Sequence, residues 1–413
     1  MTVDDRLLDC VHCGFCLPTC PTYAELGLEM DSPRGRLYLI RALADRQVSY
    51  TRRLVAHLDG CLDCRACETA CPSGVRYGAL LEEARHAIRG GFTRSSHERA
   101  IQWLVEQVFP YPQRLRWLLQ PARLTQRLGL SALLRARLRE MMELLPPKTA
   151  VASVPPLTPA RGTRRLRVGF LTGCAARVLC PEMNAAMVNV LARNGCEVVA
   201  PAAQGCCGAL HLHSGAREQA RLLARHNIDV FLAEHPDVIV ANAAGCGAVM
   251  KEYGELLAGD PDYAAKAKEF SRRVRDFTEL VVELDGFEKG LGPLPVTATY
   301  HDACHLAHAQ GIRTQPRQLL DAIPDLKRTE LPESDWCCGS AGVYNITQSA
   351  MANRLLRRKL ANIERTGASM VVAANPGCLI QIRAGVRRRH LNVEVLHPAE
   401  VMARSYGAAE EAR

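Results

Sequence analysis

The chain has 413 residues, 48% of them hydrophobic and 23% charged, so it can bury the cores of two or three domains and is not disordered as a whole. Its net charge of +9 is a moderate excess that permits contact with an acidic partner or anionic lipid. It has no apolar run of about 18 residues that could span a membrane. Because no basic stripe with interleaved aromatic residues occurs, we expect no nucleic-acid partner.

The chain contains 18 cysteines, far more than a packed core requires. No basic segment followed by an apolar one precedes Cys10, so we expect no secretory signal and a cytoplasmic location. Cytoplasmic thiols are kept reduced. We therefore expect these cysteines to be ligands rather than disulfides.

Two segments near the start of the chain share the spacing C-x2-C-x2-C-x3-C-P. The first motif runs from Cys10 to Pro21, and the second motif, from Cys61 to Pro72, repeats it at a constant offset of 51 residues. This spacing is typical of bacterial [4Fe–4S] ligation, in which the fourth cysteine binds the other cluster. Zinc ribbons, the alternative, need only two C-x2-C pairs. The prediction is two clusters, the first on Cys10, Cys13, Cys16 and Cys71 and the second on Cys61, Cys64, Cys67 and Cys20.

Helical periodicity between the two motifs predicts a helical two-cluster domain over residues 1–95. Residues 96–145 are predicted to form a helical bridge interrupted by prolines, and the proline-rich residues 146–165 an extended linker. The bridge concentrates aromatic residues and arginines, namely Trp103, Phe109, Tyr111, Trp117, Arg114, Arg116, Arg123, Arg127, Arg135, Arg137 and Arg139. Such a surface either binds a membrane or partner subunit or, more commonly, packs its apolar stripe against its own domain.

The remaining chain is an internal duplication of a first module, residues 166–290, and a second module, residues 291–413. Strand-like runs alternate with helical segments, which predicts an α/β fold with a parallel sheet in each module. Each module has a single cysteine, a Cys-Cys-Gly turn and another single cysteine, which are Cys174, Cys206, Cys207 and Cys246 in the first and Cys304, Cys337, Cys338 and Cys378 in the second. Because ligands gather at the carboxyl ends of parallel strands, we expect the four thiols of each module to converge.

The pattern leaves open what these thiols bind. They could hold zinc or an iron–sulfur site, with a histidine such as His213 or His305 as a further ligand, or the vicinal pairs could cycle as disulfides. Redox-inert buried cysteines are a further alternative. Cys180 and Cys196 have no counterpart in the second module and are predicted to be structural. His211, His213, His301 and His305 all lie near the cysteine motifs, where a histidine is more often a hydrogen-bonded structural residue than a ligand.

The tandem cluster motifs, the helical bridge and the two Cys-Cys-Gly modules together resemble the iron–sulfur subunit of glycolate oxidase. The resemblance is most specific in Cys10–Tyr23, Ser32–Ile40, Cys71–Tyr77, Gly205–Ala209, Gly245–Gly254 and Cys337–Gly342. It implies a complex in which flavin-bearing subunits oxidise glycolate to glyoxylate. This chain would then carry electrons to a membrane acceptor, expected to be quinone, from a peripheral position at the inner face of the cell membrane.

The sequence contains no G-x-G-x-x-G, P-loop or Ser-His-Asp arrangement, so we expect no flavin, no NAD and no catalytic residue in this chain. Related subunits of lactate and glycerol-3-phosphate oxidation share the layout and are alternatives. The modules also resemble the catalytic subunit of heterodisulfide reductase, which would make the chain a disulfide reductase. That family's motif closes with C-x-x-C, whereas Gly-Ala-Val follows Cys246 and Leu-Ile-Gln follows Cys378. A zinc-stabilised binding platform is the third hypothesis for the modules.

Overall fold

The computed structural model describes residues 5–129, 136–146 and 152–411. Its first part is helical and surrounds the two cysteine motifs, in agreement with the prediction. The elements are 3-10 turns at Asp5–Asp9 and Glu29–Asp31 and helices α1 (Pro21–Leu26), α2 (Pro33–Ala44), α3 (Arg52–Asp59), α4 (Ala66–Thr69) and α5 (Tyr77–Gly91).

Helices α2, α3 and α5 pack around one apolar core. The Ser32 hydroxyl caps α2 by accepting a hydrogen bond from the N–H of Gly35 at 3.0 Å, and Thr51 caps α3 by accepting one from Leu54 at 3.2 Å. The buried side chains of this core include Leu37, Ile40, Leu58, Leu80 and Leu81. Partly buried motif cysteines pack at its edge, namely Cys10, Cys16, Cys61 and Cys71. The core therefore supports both cysteine motifs from one side.

The bridge consists of α6 (Ser96–Gln107), α7 (Pro112–Arg127) and α8 (Ala136–Glu143). A capping box formed by Ser95 and Glu98 begins α6. The bridge contacts both modules, because His211 Nε2 lies 3.2 Å from the carbonyl of Glu106 and Arg388 forms an ion pair with Glu143. Arg135, one of the arginines that the sequence singled out, lies outside the described residues.

The first module is a sheet with helices on both faces. Its strands are β1 (Leu157–Thr158), β2 (Leu166–Leu171), β3 (Cys196–Val199), β4 (Val238–Ala241) and β5 (Val274–Asp276), in the order β1-β3-β2-β4-β5. Its helices are α9 (Ala176–Leu179), α10 (Pro181–Arg193), α11 (Ala209–His213), α12 (Arg217–Leu232), α13 (Ala244–Lys251), α14 (Tyr253–Leu256), α15 (Ala264–Arg273) and α16 (Phe277–Glu283). The pairs of β2 with β3 and β4, and of β4 with β5, are parallel. Strand β1 comes from the segment expected to be a linker, and it is extended but pairs antiparallel with β3.

The second module repeats this arrangement with parallel strands β6 (Thr297–His301), β7 (Lys327–Thr329), β8 (Met370–Ala373) and β9 (Glu394–Leu396) in the order β7-β6-β8-β9. Its helices are α17 (Thr314–Asp321), α18 (Tyr344–Thr347), α19 (Ser349–Thr366), α20 (Pro376–Arg388) and α21 (Pro398–Glu411), with a π-helical turn at His305–Ala309. The strand order matches β3-β2-β4-β5 of the first module, as a duplication requires.

The two modules share a continuous apolar core. Buried side chains from the first module, such as Phe170 and Phe277, belong to the same cluster as Val371 and Leu379 of the second. Burial of apolar surface is the main driving force for such association, so the modules form one packed unit. Over the described residues, every helix is too short or too polar to cross a bilayer.

Candidate iron-sulfur and thiol sites

The two cysteine motifs fold with the same backbone. His12 and Asp63, two positions after the first cysteine of each motif, have φ angles of 54° and 53°. Gly14 and Arg65, four positions after that cysteine, have φ angles of 87° and 59°. Residues other than glycine rarely adopt this left-handed conformation. Its recurrence at equivalent positions shows that each loop is bent in the same way, which suits a common ligand geometry.

The thiol of Cys20 lies near cysteines of both motifs. Burial raises the pKa of Cys64 and Cys67, and the thiols of Cys20 and Cys61 are close enough to raise both further. Burial also raises the pKa of Cys16, to which Cys10 and Cys20 contribute. Crowded, buried thiols lose protons only when a cation such as iron stabilises the thiolates. These residues therefore fit a thiolate-ligated cluster.

Several groups are placed to stabilise negative charge at the second motif. The backbone N–H of Asp63 and the hydroxyl of Tyr77 each donate to Cys61 Sγ at 3.4 Å. Arg36 is fully buried, and although burial lowers the pKa of its guanidinium, the nearby thiols of Cys61 and Cys20 raise it overall. Hydrogen bonds to sulfur and nearby charges tune cluster potentials. From the sequence, the expectation for Arg34 and Arg36 is either that their charge tunes a cluster potential or contacts a partner, or that they form ordinary surface pairs. Arg36 is buried rather than at the surface, and it pairs with Asp31 at 3.2 Å.

In each module the four predicted thiols lie in a line, in which each of the last three is close enough to shift the pKa of the one before it. The order is Cys174, Cys206, Cys207 and Cys246 in the first module and Cys304, Cys337, Cys338 and Cys378 in the second. The thiol of the next cysteine and burial raise the pKa of Cys174 and of Cys304. The structure therefore brings together the thiols that the sequence expected to converge.

The glycine of each Cys-Cys-Gly turn has a left-handed backbone, with φ of 86° at Gly208 and 87° at Gly339. Each glycine N–H donates to the first thiol of its pair at 3.4 Å. A Cβ on Gly339 would lie 2.6 Å from the carbonyl oxygen of Ala352. Glycine is required here both by backbone conformation and by space.

The thiol line of the second module lies beside the second motif. Cys64 and Cys304 pack in one small apolar cluster with Leu62 and Cys337, and after burial the Cys304 thiol is the next largest cause of the raised pKa of Cys64. The Tyr344 hydroxyl donates to the carbonyl of Gly60 at 2.9 Å. The second module is thereby held against the loop that carries the second motif.

A buried polar network joins the first module to the same loop. His213 Nδ1 lies 3.1 Å from Asp63 and 3.0 Å from Glu82. Burial lowers the pKa of His213, but the Asp63 carboxylate and the hydrogen bond to Glu82 outweigh burial and raise it to about 9. His305 Nε2 lies 2.6 Å from the carbonyl of Asp63, and burial lowers its pKa to about 4. Both histidines, which the sequence offered as further metal ligands, contact Asp63, and the ligand atoms of His213, Asp63 and Glu82 lie within 4.8 Å of one another.

A different histidine approaches the thiols. The ligand atoms of His301, Cys338 and Cys378 lie within 4.8 Å of one another. Burial lowers the pKa of His301 to about 3, so the imidazole is neutral. The expected structural hydrogen bond is present, since Nδ1 is 3.1 Å from the carbonyl of Ser334. The signal in the sequence that could have indicated a further role for His301 is its position in the strand. The equivalent buried strand position in the first module is occupied by Leu171.

Comparison with known proteins agrees with this organisation. Three family models match, namely a 4Fe-4S dicluster domain over residues 6–75, the linker region of the glycolate oxidase iron–sulfur subunit over residues 97–152, and a cysteine-rich domain over residues 168–251 and again over 298–383. Together with the site geometry, these matches define an iron–sulfur subunit of an oxidoreductase.

Curated relatives specify the family. The chain is 40% identical to the probable glycolate oxidase iron–sulfur subunit of Bacillus subtilis (strain 168), over 98% of this chain and 95% of that one. It is 39% identical to the glycolate oxidase iron–sulfur subunit of Escherichia coli (strain K12), over 94% and 92%. Lactate utilization protein A 2 of Bacillus cereus (strain Q1) is 32% identical over 58% of this chain and 98% of its own length. The chain belongs to the family of glycolate oxidase iron–sulfur subunits.

A solved structure supports the fold alone. A hypothetical protein from Helicobacter pylori superposes with a TM-score of 0.59 over 91% of this chain and 68% of that one, at 11% sequence identity. Because the identity is so low, this likeness concerns the arrangement of helices and sheets and not the chemistry.

Proposed function

We propose that this chain is the electron-transfer subunit of a glycolate-oxidising complex. A flavin-bearing partner subunit oxidises glycolate to glyoxylate, and this chain carries the electrons to quinone at the membrane. The observation that supports the proposal is the pair of cysteine loops with the same left-handed bends, whose thiols lie close enough to act on one another. Two adjacent clusters are suited to moving single electrons.

The proposed ligands are the two crossed sets, Cys10, Cys13, Cys16 and Cys71 for the first cluster and Cys61, Cys64, Cys67 and Cys20 for the second. When bound, the clusters supply one-electron redox chemistry. The chain orients them with the two bent loops, and the N–H and O–H donors at Cys61 and the Arg36 charge stabilise the thiolates. The helical cluster domain of residues 1–95, the bridge and linker, and the two modules remain our proposed division of the chain.

The surroundings of the two clusters differ, which suggests a direction for electron flow. Cys13 is exposed, and the neighbouring apolar side chains of Val11 and Phe15 are exposed as well. Cys64, in contrast, packs against the second module. We therefore assign the first cluster to the side that meets the flavin-bearing partner and the second cluster to the inner end of the relay.

The isolated chain is not expected to oxidise glycolate. The test is dye reduction by purified chain, by the flavin-bearing subunits and by the reconstituted complex, with glycolate and with lactate as substrates. We expect activity that reaches a quinone analogue only in the complex and only with glycolate. Glycolate oxidation by this chain alone would contradict the relay, and a preference for lactate would favour the lactate alternative over the glycolate assignment.

A disulfide reductase function has less support. The vicinal pairs Cys206–Cys207 and Cys337–Cys338 are buried, whereas thiol–disulfide exchange needs an accessible, low-pKa thiolate. Their surroundings raise the thiol pKa values. The thiol lines are therefore better suited to holding a metal or cluster than to attacking an external disulfide.

A further inference from the structure

The two modules differ at a buried position beside otherwise equivalent thiols. The pairing of β2 with β4 sets Leu171 opposite Ala241, and the pairing of β6 with β8 sets His301 opposite Ala373. His301 therefore occupies the position of Leu171, and both side chains are fully buried. The first module has an apolar side chain where the second has a potential ligand.

The hydrogen bonding of His301 leaves one nitrogen free. A carbonyl oxygen only accepts hydrogen bonds, so Nδ1, 3.1 Å from Ser334 O, carries the proton. Nε2 then has a lone pair, and this atom is buried without a hydrogen-bond partner. Leaving a buried acceptor unpaired is costly, and metal-binding histidines typically donate their other N–H to a carbonyl.

The thiols beside His301 are close enough for a single metal ion. The ligand atoms of His301, Cys338 and Cys378 lie within 4.8 Å of one another. Around tetrahedral zinc, with bonds of about 2.0–2.3 Å, neighbouring ligand atoms are roughly 3.5–4 Å apart, so a small contraction suffices. Within the described ranges, the four thiols of the first module form no group this compact.

The charge near the second site also differs from that in the first module. Lys359 is fully buried, and the thiols of Cys338 and Cys337 act on its ammonium group. Lys359 is seven positions after Ala352, which lies against Gly339 of the turn. In the first module Ala220 lies against Gly208, and seven positions after it stands the neutral Asn227. Three thiolates and a neutral imidazole around a divalent ion leave one negative charge, which the lysine balances.

We propose that the second module, and not the first, binds a single borderline-soft metal ion, zinc being the best match. His301, Cys338 and Cys378 are the ligands in the compact group. Cys337, which lies beside Cys338 but outside this group, approaches as the fourth. The site is separate from the two ferredoxin-type clusters, so it goes beyond the electron relay proposed above.

The test is the metal content of full-length chain purified anaerobically. Three variants change the proposed site. His301→Leu copies the first module, His301→Gln keeps a polar side chain in case the leucine variant fails to fold, and Cys378→Ser removes a thiol. Cys246→Ser is the matched control in the first module. We expect about one zinc per chain beyond the two clusters, lost in the three second-module variants and retained in Cys246→Ser. About eight irons and the cluster spectra should remain in all of them.

An additional iron in place of zinc, lost in the same variants, would support the site with iron as its metal. Absence of any metal beyond the two clusters, its retention in His301→Gln and Cys378→Ser, or an equal loss in Cys246→Ser would overturn the proposal. Absence of the cluster spectra from the unsubstituted chain would instead contradict the proposed electron relay. A failure of the metal-site proposal and a failure of the relay proposal are therefore distinguishable.

A second inference comes from the outer face of α7. Leu115 is 1% exposed and marks the inner face, whereas Trp117, Leu124 and Leu128 are 78%, 57% and 61% exposed. With Pro121, which is also exposed, they recur at helical spacing and form one apolar stripe that faces away from the protein. The alternative from the sequence, that this stripe packs against its own domain, does not hold for these residues.

The charges around this stripe have one sign. Residues 107–139 contain seven arginines and no acidic residue. Within the parts of the chain that the structure describes, Arg114, Arg116 and Arg123 form no ion pair with a carboxylate. On a helical wheel Arg116 and Arg123 lie on one flank of the stripe and Arg114 on the other. An apolar stripe with a tryptophan and flanking arginines is typical of helices that lie in the headgroup region of anionic membranes.

We infer that α7 is the surface by which the chain binds an anionic lipid membrane. This specifies the peripheral position proposed above, but its test is independent of electron transfer. The full chain is sedimented with vesicles of phosphatidylcholine and phosphatidylglycerol, and with phosphatidylcholine alone. We expect salt-sensitive binding to the anionic vesicles that falls at least about tenfold in Trp117→Glu/Leu124→Glu and is unchanged in Leu222→Glu, an exposed leucine on α12.

Equal binding of the double variant and the unsubstituted chain would overturn this inference. So would a double variant that still binds vesicles but no longer assembles with the flavin-bearing subunits, because the stripe would then be a protein interface.

Discussion

Individual residues of the two cysteine motifs decide which cluster each thiol serves. The Cys20 thiol is close enough to act on Cys64 and Cys67 as well as on Cys16, although Cys64 and Cys67 are more than about 40 residues away in the sequence. The proposed crossed ligation would tie the two halves of the cluster domain together.

Replacing the fourth cysteine of one motif should damage the cluster of the other. In Cys71→Ser we expect the loss or conversion of the cluster whose other ligands are Cys10, Cys13 and Cys16, because the fourth cysteine serves the opposite site. The reciprocal variant Cys20→Ser should affect only the second cluster. Electron paramagnetic resonance of the reduced chain distinguishes the two, and loss of the second cluster alone in Cys71→Ser would show that the ligation is not crossed.

Removing the buried guanidinium of Arg36 should shift one cluster potential. A positive charge near a cluster stabilises its reduced, more negative state, so Arg36→Met should lower the potential of the second cluster by on the order of 50 mV. The matched control is Arg34→Met, since Arg34 pairs with Glu29 as Arg36 pairs with Asp31, but is partly exposed whereas Arg36 is buried. A redox titration followed by paramagnetic resonance measures both. Equal potentials in the Arg36→Met and Arg34→Met variants would assign Arg36 a purely structural role.

At the scale of elements, the Cys-Cys-Gly turns depend on close packing against a helix. Gly339 lies against Ala352 of α19, and Gly208 lies against Ala220 of α12. In each module this helix lies so close to the turn that only glycine fits at the third position of the turn. This close packing fixes the position of the two preceding thiols. The repetition explains why the duplicated modules retain the same three-residue turn.

Substitution of Gly339 by alanine should destabilise the second module. The added Cβ would meet the Ala352 carbonyl oxygen at 2.6 Å and the φ of 87° is unfavourable for alanine, so we expect a loss of about 2–4 kcal/mol. Gly367→Ala is the control, because Gly367 is also left-handed but has no atom within 4 Å of an added Cβ. That variant should lose only about 1 kcal/mol. Thermal unfolding of both variants measures the difference, and equal losses would mean that packing does not constrain the turn.

At the scale of the whole molecule, both modules meet the loop that carries the second motif. The first module contacts it through His213 and Asp63, and the second through Cys304 and Tyr344. The cluster domain therefore packs against both modules. Its contact with the first module is polar, and its contact with the second module is mainly apolar. The polar contact makes the stability of the molecule dependent on pH.

The charged His213 should stabilise the folded chain below its raised pKa. Its folded pKa of about 9 lies above the ordinary value of about 6.5, so its contribution is full below about pH 6.5 and is lost as the pH rises through 9. Thermal unfolding should show that the chain loses about 2 kcal/mol more between pH 7 and 10 than His213→Gln does. A parallel pH dependence in both proteins would show that His213 is not charged in the junction.

Local spacing was sufficient to predict the chemistry of this protein. The two C-x2-C-x2-C-x3-C-P segments, the proline-interrupted bridge and the duplicated Cys-Cys-Gly turns are patterns within short stretches, and backbone conformation over such stretches follows from the residues themselves. The parallel sheets followed from alternating strand and helix patterns for the same reason. The class of iron–sulfur subunit could therefore be recognised before the fold was known.

Tertiary structure alone decided which of these parts meet. That Cys64 lies beside Cys304, that His301 rather than His213 or His305 approaches the thiols, and that the stripe of α7 faces outward all depend on packing between distant segments. Periodicity identifies an apolar stripe but not what covers it, and a histidine near a cysteine in sequence can point to a different partner in space. Such contacts arise from the burial of whole surfaces, which no local pattern encodes.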